Sequence, residues 1–251
     1  MFKQEFKQEF KQEKEIEARD SEAEQYEQRY LLSKGYFFDW VEKMVVLNAL
    51  NLQKEDVVLD IGCGTGRLSL EIARRCRKVY GLDFSTKSIA VLNKKINEKG
   101  ITNIKTFVGD VSELLPIKEK IDKIVSVQVI QHIPTFNGKK IALKNMYQCL
   151  RPGGECIVTV YRDKPTLNKE GWFLNGIYYF RFTPSEIASL FKKAYFKDIS
   201  VKGYINFSKY HLLNCCKIYK LFYPLALFDI FLSKLKISSS TGQYLICKGF
   251  K

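Results

Sequence analysis

Residues 57–67 read Val-Val-Leu-Asp-Ile-Gly-Cys-Gly-Thr-Gly-Arg, a short β-branched run that ends in an acid, Asp60. Glycines then recur at every second position, Gly62, Gly64 and Gly66. Glycine lets the backbone turn tightly and approach a ligand with no Cβ in the way. The helix that opens beyond such a loop offers free N–H groups and a partial positive charge. Two more acids close later strand-like runs, Asp83 in KVYGLDFS and Asp110 in VGDV. Taken singly, each is as well explained as a cap or turn residue. Three acids at three successive strand ends, in register with a glycine loop, read as one ligand site.

The spacing discriminates between ligands. A dinucleotide site wants G-x-G-x-x-G wrapped on a pyrophosphate, whereas D-x-G-x-G-x-G followed by Arg67 stands here. S-adenosyl-L-methionine (SAM) has no phosphate, and its amino-acid end carries an ammonium that Asp60 can hold. Asp83 is placed to accept both ribose hydroxyls. Asp110 can accept from the adenine amino group and Val111 can offer a backbone N–H. Ser85 suits the N-cap of the next helix. Methyl transfer from a sulfonium is an in-line displacement, so alignment and exclusion of water dominate. A general base helps where the nucleophile is a hydroxyl. His132 is the histidine near this site, as a base or as a packed, hydrogen-bonded residue.

These residues need a scaffold of alternating strands and helices. Periodicity predicts helices over 37–50, 67–77, 86–99 and 139–150. Strands are expected over 56–61, 78–83, 104–109, 121–129 and 154–161, the βαβ rhythm of a mostly parallel sheet. Residues 162–182 read as an aromatic loop. Thr183-Pro184-Ser185-Glu186 spells a capping box for a helix to about Ala194, and 196–204 and 242–250 are strand-like.

On these motifs the chain resembles the small-molecule branch of class I SAM-dependent methyltransferases (methyltransferase type 11/25), over roughly residues 20–205. DIGCGTG matches the first motif, GLDFS the second and VGDV the adenine motif; IDKIVSVQVIQHI and LRPGG match strand four and the turn before strand five. The resemblance implies an α/β, Rossmann-like seven-stranded sheet, mostly parallel with the last strand antiparallel, and helices on both faces. SAM would lie above strands one to three and the acceptor above strands four and five. The cofactor set carried over is Asp60, Gly62, Cys63, Gly64, Gly66, Asp83, Phe84, Asp110 and Val111, with Gln128 beside the methionine end. Tyr26 sits in the N-terminal segment that folds over the cofactor. Tyr161 and Arg162, after strand five, fall where acceptor contacts are expected. Ser126-Val127-Gln128-Val129 replaces the N/D-P-P-Y motif of enzymes that methylate amide or adenine nitrogens. Gln131 stands where many relatives have Glu or His.

Composition bounds the rest. The chain has 251 residues and a formal net charge of +14. Residues 1–30, with FKQE three times over at 2–13, form a charged tail or helix to which no chemistry is assigned. The methyltransferase domain is expected over 31–251, with an apolar helical insert at about 205–238. In LALFDIFLSKLK the polar residues Asp229, Ser233 and Lys236 share a narrow stripe, so the wide apolar face needs a cover. Either it packs on the sheet, or it meets a lipid-linked acceptor or an anionic membrane surface, with Lys217, Lys220, Lys234 and Lys236 on head groups. No apolar stretch is long enough to span a bilayer and the start lacks a signal-peptide core, so a cytoplasmic protein is expected, possible at the inner membrane face. The seven cysteines contain no CxxC pair, and no metal is expected. The expected acceptor is a small molecule or a lipid-linked or glycan intermediate. The basic balance raises an RNA (tRNA) methyltransferase as the alternative, but dispersed lysines and the lack of an appended RNA-binding module argue against nucleic acid. A non-catalytic SAM-binding protein is the third reading.

Overall fold

The computed structural model describes residues 14–23, 25, 36–113, 117–163, 171–204, 224, 227–228, 230–231 and 242–251. The FKQE repeat, Tyr26 and most of the apolar insert, its lysines included, lie outside the described residues.

The strands are β1 (Val57–Ile61), β2 (Lys78–Asp83), β3 (Ile104–Val108), β4 (Ile121–Val127), β5 (Leu150–Tyr161), β6 (Trp172–Leu174), β7 (Ile177–Tyr179), β8 (Lys197–Tyr204) and β9 (Tyr244–Phe250). Seven of them make one sheet in the order β3-β2-β1-β4-β5-β9-β8. Strands β1 to β5 pair in parallel, and β9 enters antiparallel between β5 and β8. All five residues of β1 are buried, as expected for a parallel strand covered on both faces. Alternation sorts them: Val57, Leu59 and Ile61 join one core cluster, and Val58 joins the other.

The helices are α1 (Tyr36–Leu50), α2 (Ser69–Ala73), α3 (Thr86–Glu98), α4 (Phe136–Cys149) and α5 (Pro184–Lys193). Their starts follow from local chemistry. Ser85 Oγ accepts from Ser88 N and caps α3. Thr135 does the same for α4 from Gly138 N. The expected capping box of α5 forms, with Thr183 and Glu186 bonded reciprocally.

Three elements differ from the sequence expectation. The helix expected over 67–77 is limited to α2, because Arg77 N and Lys78 N must turn back to donate to Asp56 O at the head of β2. The aromatic stretch 162–182 is not all loop: β6 and β7 form a hairpin closed by Asn175 and Gly176, both at positive φ. Strand β5 starts at Leu150, within the LRPGG turn.

The chain order places β2 on one side of β1 and β4 on the other. That switch point opens a crevice at the carboxyl ends of the strands, where open α/β sheets bind ligands.

Candidate active site

A cavity of about 600 Å³ occupies that crevice, within the size range of small-ligand and cofactor pockets. The glycine loop forms its floor. Gly62 N and Cys63 N both donate to Leu82 O, at 2.7 and 3.1 Å, which ties the loop to the end of β2. Gly62 has φ +71°, and a Cβ there would lie 2.1 Å from Val129 Cγ2. Gly64 has φ +51° and nothing within 4 Å of its Cβ position. Any side chain at Gly64 would therefore enter the cavity rather than the protein.

The acids stand around this loop. Asp60, 2% exposed, accepts from Ser69 Oγ at 2.5 Å. Burial pushes its carboxyl up to about 6. Asp83 accepts from Gly64 N through Oδ2 (2.8 Å) and from Ser85 N through Oδ1 (2.9 Å). Burial also raises the Asp83 carboxyl. Each of its oxygens has one backbone donor and retains a lone pair for a ligand hydroxyl. Asp110 accepts from Ser112 N at 2.7 Å, which shapes the turn after β3. Cys63, Phe84, Val111 and Gln128 also line the cavity. Gly66 closes the turn by donating to Cys63 O at 3.0 Å. Burial, with Asp60 and Asp83 behind it, keeps the Cys63 group a thiol.

The opposite end is aromatic. His132, Tyr161, Phe173 and Tyr179 line it. Tyr161 and Tyr179 stack at 6.1 Å between centroids, and His132 meets Tyr179 edge-on at 4.9 Å. His132 Nδ1 lies 2.6 Å from Tyr178 O and Nε2 lies 3.3 Å from Gln131 Nε2. With Nδ1 donating to the carbonyl, Nε2 is the acceptor and the ring is neutral. Burial pushes the imidazole down to about 3. Arg162 is placed elsewhere: it is not among the cavity residues, and its backbone N–H donates to Gln243 O.

Sequence reasoning missed two contributors. Residues 14–22 form a helical segment whose Glu15, Arg19 and Glu22 line the cavity, with Ala23 beside them. Asp20 anchors the segment by accepting from Ser85 Oγ and from Lys87 N, the latter at 3.2 Å. Burial pushes the Glu15 carboxyl up to about 7. The i, i+4, i+7 spacing of these charged residues was visible, but it looks the same on a solvated helix. Phe173 and Tyr179 arrive through the unforeseen hairpin.

Comparison with known proteins agrees with this geometry. Residues 58–154 match the family model described as a methyltransferase domain. The chain is 29% identical over 152 residues to a demethylmenaquinone methyltransferase of Geobacillus sp. (strain WCH70), covering 59% of this chain and 62% of that one. It thus spans about three fifths of the length of the curated relatives it matches first. Among solved structures, a SAM-dependent methyltransferase from Thermotoga maritima, possibly a histamine N-methyltransferase, superposes with a TM-score of 0.62 at 20% identity, covering 94% of this chain and 99% of that one. Phosphoethanolamine N-methyltransferase 2 of Haemonchus contortus, in complex with SAM, gives a TM-score of 0.60 at 20% identity, covering 91% and 59%. The fold is the α/β, Rossmann-like fold of these solved methyltransferase structures. More narrowly, residues 58–154 are similar to a methyltransferase domain.

The neutral imidazole of His132 makes stability pH-dependent. Its folded value, about 3, lies below the ordinary 6.5. The stability it contributes is therefore complete above pH 6.5 and is lost as pH falls towards 3, because the unfolded chain takes up the proton first. His132→Asn should be less stable than wild type near neutral pH, with the gap narrowing at about pH 5. Urea midpoints of both proteins at the two pH values check this; an unchanged gap contradicts a buried neutral ring.

Proposed function

We propose that the whole chain transfers the methyl group of SAM to a small or lipid-like acceptor. The observation that carries this reading is the single cavity wall on which the glycine loop, Asp60, Asp83 and Asp110 stand at one end and His132, Tyr161, Phe173 and Tyr179 at the other.

Sheet order sets the sequence of contacts. The end of β3 supplies Asp110 and Val111 for the adenine. The end of β2 supplies Asp83 and Phe84 for the ribose. The ends of β1 and β4 supply Asp60 and Gln128 for the amino-acid end. These residues fit the cofactor: Asp83 keeps acceptor capacity for a diol, and Gly64 leaves room where a side chain would intrude. SAM, when bound, supplies a methyl group on an electrophilic sulfonium. The protein's part is to orient the acceptor against it and to exclude water. The aromatic end suits a flat or apolar acceptor, with Tyr161 in its wall. Arg162, outside the cavity, serves an acceptor only if that acceptor extends beyond it. For His132 the geometry supports a positioning role, since its Nε2 already faces the Gln131 amide and burial disfavours the protonated ring. The relatives' acceptors differ: one is named for demethylmenaquinone, another for a cobalt-precorrin and a third for phosphoethanolamine.

A lipid-like acceptor or a membrane surface is favoured by Leu227, Phe228 and Phe231, which are 57%, 46% and 55% exposed. Among the described residues no helix is long and apolar enough to cross a membrane.

Calorimetry should show S-adenosylhomocysteine binding that Gly64→Val and Asp83→Ala each weaken by at least about tenfold; tighter binding of NAD than of SAM would sink the cofactor assignment. Incubating the protein with SAM and with polar or lipid extracts should yield a product heavier by one CH2 in mass spectrometry. Modification confined to an RNA fraction would instead favour the nucleic-acid alternative. Phe228→Asp should leave the melting temperature within a few degrees of wild type, because the ring is exposed, and should reduce co-sedimentation with anionic vesicles. Wild-type protein that does not co-sediment at low salt, where charge attraction is least screened, removes the membrane-surface reading.

A further inference from the structure

Glu42, in the middle of α1, is 1% exposed. Its partners all donate. Arg67 Nη2 reaches Oε2 at 2.6 Å; Gln128 Nε2 and the Tyr204 hydroxyl reach Oε1 at 2.6 and 2.9 Å. One carboxylate thus gathers the residue after the glycine loop, the residue after β4 and the last residue of β8. Asp39, one turn earlier, takes the other Arg67 nitrogen and Lys43.

A buried carboxylate is weak evidence for stability, because well-packed apolar residues of similar volume often serve as well. Its position suggests another use. Arg67 and Gln128 both line the cavity, and Glu42 stands behind them. A side-chain amide carries two donors on one prong and an acceptor on the other. Glu42 captures the NH2 prong of Gln128, which leaves the oxygen prong for the cavity side. The main chain is held as well: Gln128 has φ +57°, and its N–H donates to Thr159 O at 3.0 Å and to Thr159 Oγ1 at 3.1 Å. Both the residue and its amide orientation are therefore set by the protein before any ligand arrives.

We infer that Glu42 is a positioning residue that turns the Gln128 amide oxygen towards the amino-acid end of the cofactor, where it accepts from the α-ammonium. The inference rests on the proposal that SAM occupies the cavity. Glu42 touches neither cofactor nor acceptor and acts through Gln128, with Arg67 held beside it. Asp60 and the Gln128 oxygen then offer two acceptors to one ammonium, at the ends of the adjacent strands β1 and β4.

The test uses the full chain and two ligands, S-adenosylhomocysteine and 5′-methylthioadenosine. The second keeps the adenosine and sulfur but lacks the amino-acid end. Glu42→Gln preserves size and presents an amide to three donors, so the Gln128 amide loses its fixed orientation. Calorimetry should show S-adenosylhomocysteine affinity falling by about tenfold, with methylthioadenosine affinity changing less than about twofold. Gln128→Ala should show the same selective loss and keeps the inference testable if Glu42→Gln does not fold. The double variant should lose no more than Gln128→Ala alone. Equal weakening of both ligands, or no change in either, overturns the role of Glu42 while leaving the cofactor site intact. Wild-type protein that binds neither ligand overturns the cofactor reading and this inference with it.

Discussion

The hydrogen bond from Gly64 N to Asp83 Oδ2 joins the ends of two adjacent parallel strands, and most of the site is arranged around it. Parallel strands leave their loops side by side at one edge of the sheet, with backbone N–H groups that need partners. Here the glycine loop places Gly62 N and Cys63 N on Leu82 O and Gly64 N on Asp83. The loop is thereby held flat across the top of β1 and β2, and the crevice at the switch point stays open. Asp83 is held by the same bond and by Ser85 N, so its carboxylate is oriented before a ligand binds. Orientation in advance lowers the ordering cost of binding.

The electrostatics of the cavity follow from that arrangement. Asp60, Asp83 and Asp110 gather at one end, and burial raises the carboxyls of Asp60 and Asp83. A ligand that brings hydroxyl, amino and ammonium donors relieves the strain of grouping these acceptors. At the far end the chemistry reverses: a neutral imidazole and three aromatic rings offer little charge. The ion-pair cluster of Glu42, Asp39 and Arg67 lies behind the glycine loop, where it ties α1 to the sheet.

The N-terminal helical segment and the β6–β7 hairpin meet and complete the cavity together. Gly176 in the hairpin turn comes close to Lys14 and Ala18: a Cβ on it would lie 3.5 Å from the Lys14 carbonyl oxygen and 3.8 Å from Ala18 Cβ. The segment thus reaches from the start of α3, where Asp20 meets Ser85, to the hairpin. Glu15, Arg19 and Glu22 face inward from it because they share one side of the helix.

Much of this was legible in the chain itself. The short β-branched run of β1, the glycine spacing, the acids at strand ends and the Thr183–Glu186 capping box are local patterns. Local sterics and local hydrogen bonds dictate them wherever the segment lies. The sheet and its seven strands followed from the alternation of elements together with the resemblance. What the sequence did not disclose were pairings between distant segments: Glu42 with Gln128 and Tyr204, Asp20 with Ser85, and the hairpin tyrosine against His132. A charged residue in an apolar helix, or an aromatic in an apparent loop, has the same local signature whether it faces solvent or a cavity. Only the tertiary structure decides which, because the choice depends on what the rest of the fold brings within a few ångströms of it.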